Sequence, residues 1–207
     1  MYKFREIDPL TTSNNDAYAN YSAYKPVLEV DFHNCCGYCN DHDFLMNGWR
    51  GMHIDHFAPV KPFIELRNTY ENLVYACFYC NSAKSNDWAT DSADSPFNED
   101  ETEGYMHPRE IGYNDLFERT ESGGIMPVRP IGFYMYTKLN LGLLRHSVMF
   151  TIRRITTVIE EIDLLVDDQT AGTSDDPGLI QLKSNKNELL DFKNRIERQF
   201  MKIVNAR

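Results

Sequence analysis

The sequence predicts an α+β protein in which a small metal-clamped β-β-α core is embedded in a mainly helical chain. Three observations carry that reading. Two Cys-x-x-Cys knuckles, Cys36/Cys39 and Cys77/Cys80, are separated by 37 residues. Between them, β-favouring runs around His53–His56 and Asn72–Ala76 are separated by a proline-containing loop. From Tyr134 onward, apolar residues recur at steps of three and four. The chain accordingly divides into an amino-terminal segment with a short helix (1–34), a core (35–90), an acidic connector and loop region (91–133) and a helical carboxy-terminal region (134–207).

A chain of 207 residues with 42% apolar content can bury its own core. It does not need disulfides to fold, so metal is the better use of the four knuckle thiols, which can close one tetrahedral zinc site. The competing reading is two structural disulfides in an exported protein. The gap between knuckles exceeds the usual zinc-ribbon spacing, so another element must be inserted there. Cys35 stands beside Cys36 and reads as a small buried hydrophobe, with ligand exchange as the alternative. No charged-then-apolar leader follows Met1 and no run of about 18 apolar residues occurs, which points to a reducing cytoplasm and no membrane span.

Ahead of the first knuckle, Pro26 can start a short helix carrying Leu28 and Phe32, expected to pack behind the zinc. His53, Asp55 and His56 then fall within four positions. A regular strand would place Asp55 and His56 on opposite faces, so joint action on one atom requires the strand to end or bend there. Pro59 fits such an end, since it cannot donate to a sheet and pushes Ala58 to extended geometry. Asn72–Ala76 reads as the returning strand, and Asn81 to Trp88 as a short helix with Asn81 near its amino end. Residues 85–104 hold seven acidic residues and no Lys or Arg, the composition of a mobile acidic connector.

Leu141, Leu144, Val148, Ile152, Ile155, Ile159 and Ile162 then mark an amphipathic helix of about 25 residues, with Arg145, Arg153 and Arg154 off its apolar stripe and His146 on a helix face. A loop over Thr170–Gly178, punctuated by Pro177-Gly178, leads to a last helix marked by Leu189, Phe192, Ile196, Phe200 and Ile203. The two helices are expected to pair, with docking of one stripe on another protein as the alternative.

The segments CGYC, HIDHFAPV, ENLVYAC and CFYCNSAKS together resemble the HNH (His-Asn-His, ββα-metal) nuclease family in its variant with zinc knuckles, over Cys36 to about Trp88. The resemblance implies that His56 is the general base and that Asp55 and Asn81 ligate a catalytic Mg²⁺ or Mn²⁺. It further implies that Asn72 braces the loop joining the strands, and that Cys36, Cys39, Cys77 and Cys80 hold a structural Zn²⁺. Asn81 stands where the family often has His, and its amide oxygen still suits magnesium. A histidine with an unperturbed pKa near 6.5 can take a proton from water at neutral pH, contributing roughly 100- to 10,000-fold. Lys84, three residues after Asn81, is a candidate phosphate contact or else a solvated helix lysine. His53 is read as a supporting residue beside Asp55, with direct ligation the less favoured reading.

The net charge of −10 falls only to −3 without the connector's seven acids, so affinity for nucleic acid from this chain alone is expected to be weak and non-specific. No phosphate-binding glycine loop is present, so any energy-dependent control must come from another chain. The arrangement of knuckle, acidic connector and helical tail also resembles the nuclease subunits of bacterial anti-phage systems such as Septu, which implies an ATPase partner. The expected function is a metal-dependent endonuclease acting on DNA more than RNA. The alternatives are a non-catalytic zinc-stabilised nucleic-acid-binding or adaptor module and an RNA-specific (tRNA) nuclease.

Overall fold

A computed structural model describes residues 1–14, 17–169 and 176–205. In chain order its elements are β1 (Tyr2–Lys3), α1 (Lys25–Asp31), β2 (Met52–His56), β3 (Leu73–Cys77), α2 (Phe78–Lys84), β4 (Phe117–Arg119), β5 (Ile125–Pro127), α3 (Pro130–Lys138), α4 (Leu144–Gln169) and α5 (Pro177–Asn205). They fall into two compact units, Met1–His146 and Ser147–Arg207.

The first unit is organised around the antiparallel pair β2 and β3, with Met52 opposite Cys77 and His56 opposite Leu73. All five residues of β3 are buried, as its unbroken apolar run requires. β2 stops at His56: the Phe57 N–H still donates to the Asn72 carbonyl at 2.8 Å, and Pro59 follows in the loop.

The helix expected from Asn81 starts three residues earlier, at Phe78, and ends at Lys84. The second knuckle is itself the first turn. Cys77 is extended and its Sγ accepts from the Cys80 N–H at 3.4 Å, while Ser85 at φ 50° stops the helix. Cysteines three apart on one helical turn project to the same side, so helix initiation and ligand presentation are one event.

α1 carries Pro26 in its first turn, where a missing N–H costs nothing. Leu28 and Phe32 are buried beneath it. Phe32 abuts the first knuckle so closely that a Cβ on Gly37 would lie 2.6 Å from its ring and 2.7 Å from a Val74 methyl. Only glycine fits there.

Three features differ from the sequence reading. A three-stranded antiparallel sheet, β1-β4-β5, forms from segments too short to register as periodic patterns. The acidic stretch 85–104 has no helix or strand of its own, yet it is fastened to the unit. Asp87 accepts hydrogen bonds from the Tyr105 and Tyr134 hydroxyls at 2.8 and 3.0 Å, and Trp88 stacks on Tyr105. At its far end Gly104, at φ 136°, pairs with Phe97. A dispersed acidic composition hid these aromatic anchors.

The third difference lies in the helices. α3 begins at Pro130, again with proline in the first turn, and the chain leaves helix at Leu139 to Leu143, where Asn140 is left-handed at φ 54°. Leu141 is therefore fully buried in a turn and is not part of the α4 stripe. Pro177 and Gly178 are the first residues of α5, with Asp176 Oδ1 accepting from the Gly178 N–H at 2.9 Å. The remainder of the expected 170–178 loop, residues 170–175, lies outside the described residues, as does the side chain of Ile203. Within the second unit the Lys186 ammonium meets the Asp163 carboxylate, joining α5 to α4. Among the described residues no helix is long and apolar enough to cross a membrane.

Candidate active site and zinc centre

The four knuckle sulfurs lie within 4.8 Å of one another and all four cysteines are buried and free of disulfides. A tetrahedral zinc with Zn–S bonds of about 2.3 Å spaces its sulfurs about 3.8 Å apart. The Cys39–Cys77 separation of 3.9 Å meets that spacing. Cys36 belongs to this group and the buried Cys35 does not. Four thiol donors at this spacing fit a structural zinc.

Charge around the sulfurs is arranged for such an ion. Arg145 Nη2 lies 2.8 Å from Asp41 Oδ2 and 3.5 Å from Cys77 Sγ, with its guanidinium 3.9 Å over the Tyr79 ring. His146 Nδ1 is 2.8 Å from the same Asp41 oxygen. Arg119, fully buried, donates to the Cys39 carbonyl at 2.6 Å. Four thiolates around Zn²⁺ leave two negative charges, which these cations offset. Burial works against the Asp41 carboxylate, yet His146, Arg145 and Arg119 outweigh it and hold the group well below the usual carboxylate range. Burial also opposes charge on His146, but Asp41 and the Cys39 sulfur push its pKa up to about 10. The Cys77 thiol is pushed down by its hydrogen-bonded sulfur neighbours, with help from Arg145.

Arg145 and His146 thus serve the zinc centre, where the sequence had placed them simply off an apolar stripe and on a helix face. They are separated from the first knuckle by about a hundred residues, so no local spacing signals the contact. The one local hint is Asp41, two residues beyond Cys39.

Asp55 sits on β2 at 5% exposure. Its Oδ2 accepts from the Tyr38 hydroxyl at 2.5 Å and lies 3.3 Å from the Lys84 ammonium. Burial raises its pKa, with Lys84 and Tyr38 pulling the other way. Those two partners take one carboxylate oxygen and leave Oδ1 as the oxygen it can offer a cation. Lys84 also donates to the His56 carbonyl at 3.0 Å and faces the Tyr105 ring. With no exposed surface, Lys84 has no face to present to a phosphate. The three-residue step from Asn81 put it on the helix correctly, but α2 turns it inward onto β2.

His56 ends the strand. Its Nε2 is 2.9 Å from the Arg67 carbonyl, and its ring meets Tyr21 edge-on at 4.7 Å. A carbonyl only accepts, so Nε2 carries the proton and Nδ1 keeps the lone pair. Burial lowers its pKa, which keeps the imidazole neutral near pH 7. Asn72 spans the loop between the strands: Oδ1 accepts from the Ala58 N–H at 2.7 Å, and Nδ2 donates to the Ala58 and Leu66 carbonyls at 3.0 and 3.3 Å. Asn81 is half-buried on α2. His53 is exposed on β2 with its ring 5.8 Å from that of Phe78.

The arrangement offers a neutral imidazole with a defined tautomer, a carboxylate and an amide on neighbouring elements, and a loop held in place by one asparagine. A carboxylate such as that of Asp55 and an amide such as that of Asn81 are donors of the kind a hard divalent cation takes. Arg67 and Tyr21, which set the geometry of His56, carry no motif in the sequence, and Tyr38, which holds Asp55, occupies a position inside CGYC that the Cys-x-x-Cys pattern leaves open. No curated protein and no solved structure matches the chain. Residues 36–87, from the first knuckle to just beyond α2, do match a family model, that of the HNH endonuclease.

Proposed function

We propose that this protein is a metal-dependent endonuclease that hydrolyses phosphodiester bonds, in DNA ahead of RNA, as the cytoplasmic effector of an anti-phage defence system alongside a partner such as an ATPase subunit. The observation that carries the hydrolytic part is His56: its Nε2–H is committed to the Arg67 carbonyl, which leaves Nδ1 as the ring's proton acceptor at the end of β2.

In this reading His56 Nδ1 accepts the proton of the attacking water, a contribution of roughly 100- to 10,000-fold. The Arg67 carbonyl stabilises the imidazolium that forms. Asp55 and Asn81 would hold Mg²⁺ or Mn²⁺, which supplies charge neutralisation at the phosphate and departing oxygen. Asn72 keeps the 57–72 loop, and with it the Arg67 carbonyl, in register with β2. Lys84 and Tyr38 orient Asp55. The zinc centre fixes the first knuckle against the start of α2. The defence role and the partner are supported by the arrangement of knuckle, acidic stretch and helical tail, and by the net charge of −10, which leaves the grip on nucleic acid to a second chain.

The test is cleavage of supercoiled plasmid and total RNA by the wild type and His56→Ala, with magnesium, manganese or EDTA, with and without co-expressed neighbouring proteins. Metal-dependent cutting of one polymer, lost in His56→Ala at unchanged zinc content, supports the reading and names the substrate. No cutting by a folded, zinc-loaded wild type under all conditions transfers the proposal to a non-catalytic zinc module.

A further inference from the structure

α4 carries more apolar surface than one neighbouring helix covers. One line along it, Met149, Ile152 and Ile159, is buried, and Asp163, one turn further, takes Lys186 from α5. A second line runs beside the first. Val148, Thr151, Ile155, Val158, Ile162 and Leu165 alternate steps of three and four, the heptad spacing of a coiled-coil seam. Val158 is 40% and Leu165 52% exposed, and the other four are partly exposed. At 3.6 residues per turn the two lines together span about 200° of the helix circumference, about twice the stripe that faces a single core.

The flanking residues say what covers the second line. Ile152 and Ile159, on one side of the seam, are already buried. On the other side Arg154 and Glu161, one heptad apart, are both exposed. Two copies of α4 laid antiparallel, with Ile155 opposite Val158 and Val148 opposite Leu165, bring Arg154 of each copy to Glu161 of the other. One contact then makes two opposite-charge pairs, whereas a parallel in-register pairing sets Arg154 beside Ile159 and makes none. A two-fold interface needs a self-complementary patch, and this seam is one. Charge permits it as well: residues 147–207 hold nine Lys and Arg against ten Asp and Glu, so nearly all of the net −10 resides in residues 1–146.

We infer that the Val148–Leu165 seam of α4 is the interface between two antiparallel copies of this chain. The particle then carries two nuclease domains. This inference stands independently of whether those domains cut.

Size-exclusion chromatography with light scattering on the full chain tests it. The wild type is expected at twice the 24.1 kDa of one chain. Val158→Glu is expected to run at the mass of one chain, while Leu164→Glu, equally drastic but off the seam at a residue 71% exposed, stays double. Arg154→Glu is expected to raise the dissociation constant about tenfold, and adding Glu161→Arg to restore it. The charge pair leaves the apolar seam untouched, so it decides the matter even if Val158→Glu loses helix content by circular dichroism. A wild type that stays at the mass of one chain at every concentration overturns the inference. So does a Leu164→Glu chain that dissociates as Val158→Glu does, or a charge exchange that fails to restore the dimer.

Discussion

The Lys84 ammonium lies 3.3 Å from Asp55 Oδ2, and both side chains are buried. An ion pair in such a place is weak evidence of net stability, but removing one partner strands the other charge. Lys84→Met is therefore expected to cost about 3 kcal/mol in denaturant unfolding. The double variant Lys84→Met/Asp55→Asn should recover part of that loss, because the two residues act as a pair. Additive losses would mean that the pair does not couple.

The acid limb of the cleavage profile should report His56. The imidazole accepts a proton only when neutral, and burial lowers its pKa below 6.5. Activity is thus expected to hold between pH 7 and 6.5 and to fall as pH drops through the lowered value. A single-turnover rate that already declines between pH 8 and 7 would point to a different base.

Asp41 links His146, Arg145 and the sulfurs of the zinc centre. Its replacement by Asn keeps the shape and removes the charge that holds both cations in place. Asp41→Asn is expected to weaken zinc affinity about 10- to 100-fold, as loss of a supporting partner typically does. Competition with a chromogenic chelator measures this. An unchanged zinc affinity would confine Asp41 to packing.

His107 should make stability depend on pH. Its ring abuts Phe57 and its Nδ1 accepts from the Arg109 N–H, while burial, with nearby Arg109, Arg5 and Lys84, lowers its pKa to about 3. Above pH 6.5 the ring is neutral whether folded or unfolded, and no cost arises. Below it the unfolded chain takes a proton that the folded chain refuses, so stability falls between pH 6.5 and about 3. At pH 5 the loss is about 2 kcal/mol. His107→Phe keeps the ring contact and should flatten this slope in urea titrations at pH 7 and 5. An identical slope in the variant would assign the acid sensitivity elsewhere.

Much of the core was legible because its signals are local. Proline after His56 marks the end of β2, the run Leu73–Cys77 is apolar enough to be buried throughout, and Cys-x-x-Cys spacing both presents sulfurs and starts a helix turn. The start of α2 was misplaced because Cys77 caps the helix through its sulfur, a role that residue preferences for capping do not register. The 85–104 stretch was misread because composition averages over residues, while Trp88 and Asp87 fasten it individually.

By itself the sequence determined the four cysteines that cluster and the strand-loop-strand-helix order, since each depends on neighbours within one or two turns of chain. Only the tertiary structure decided which partners set their charge and direction. Lys84 turns inward because α2 packs its inner face on β2, and His56 acquires a tautomer because the 57–72 loop returns the Arg67 carbonyl to it. Arg145 and His146 reach Asp41 because the chain folds back to the first knuckle after about a hundred residues. Contacts of that range come from packing, whose physical content is shape and burial, and no spacing along the chain encodes them.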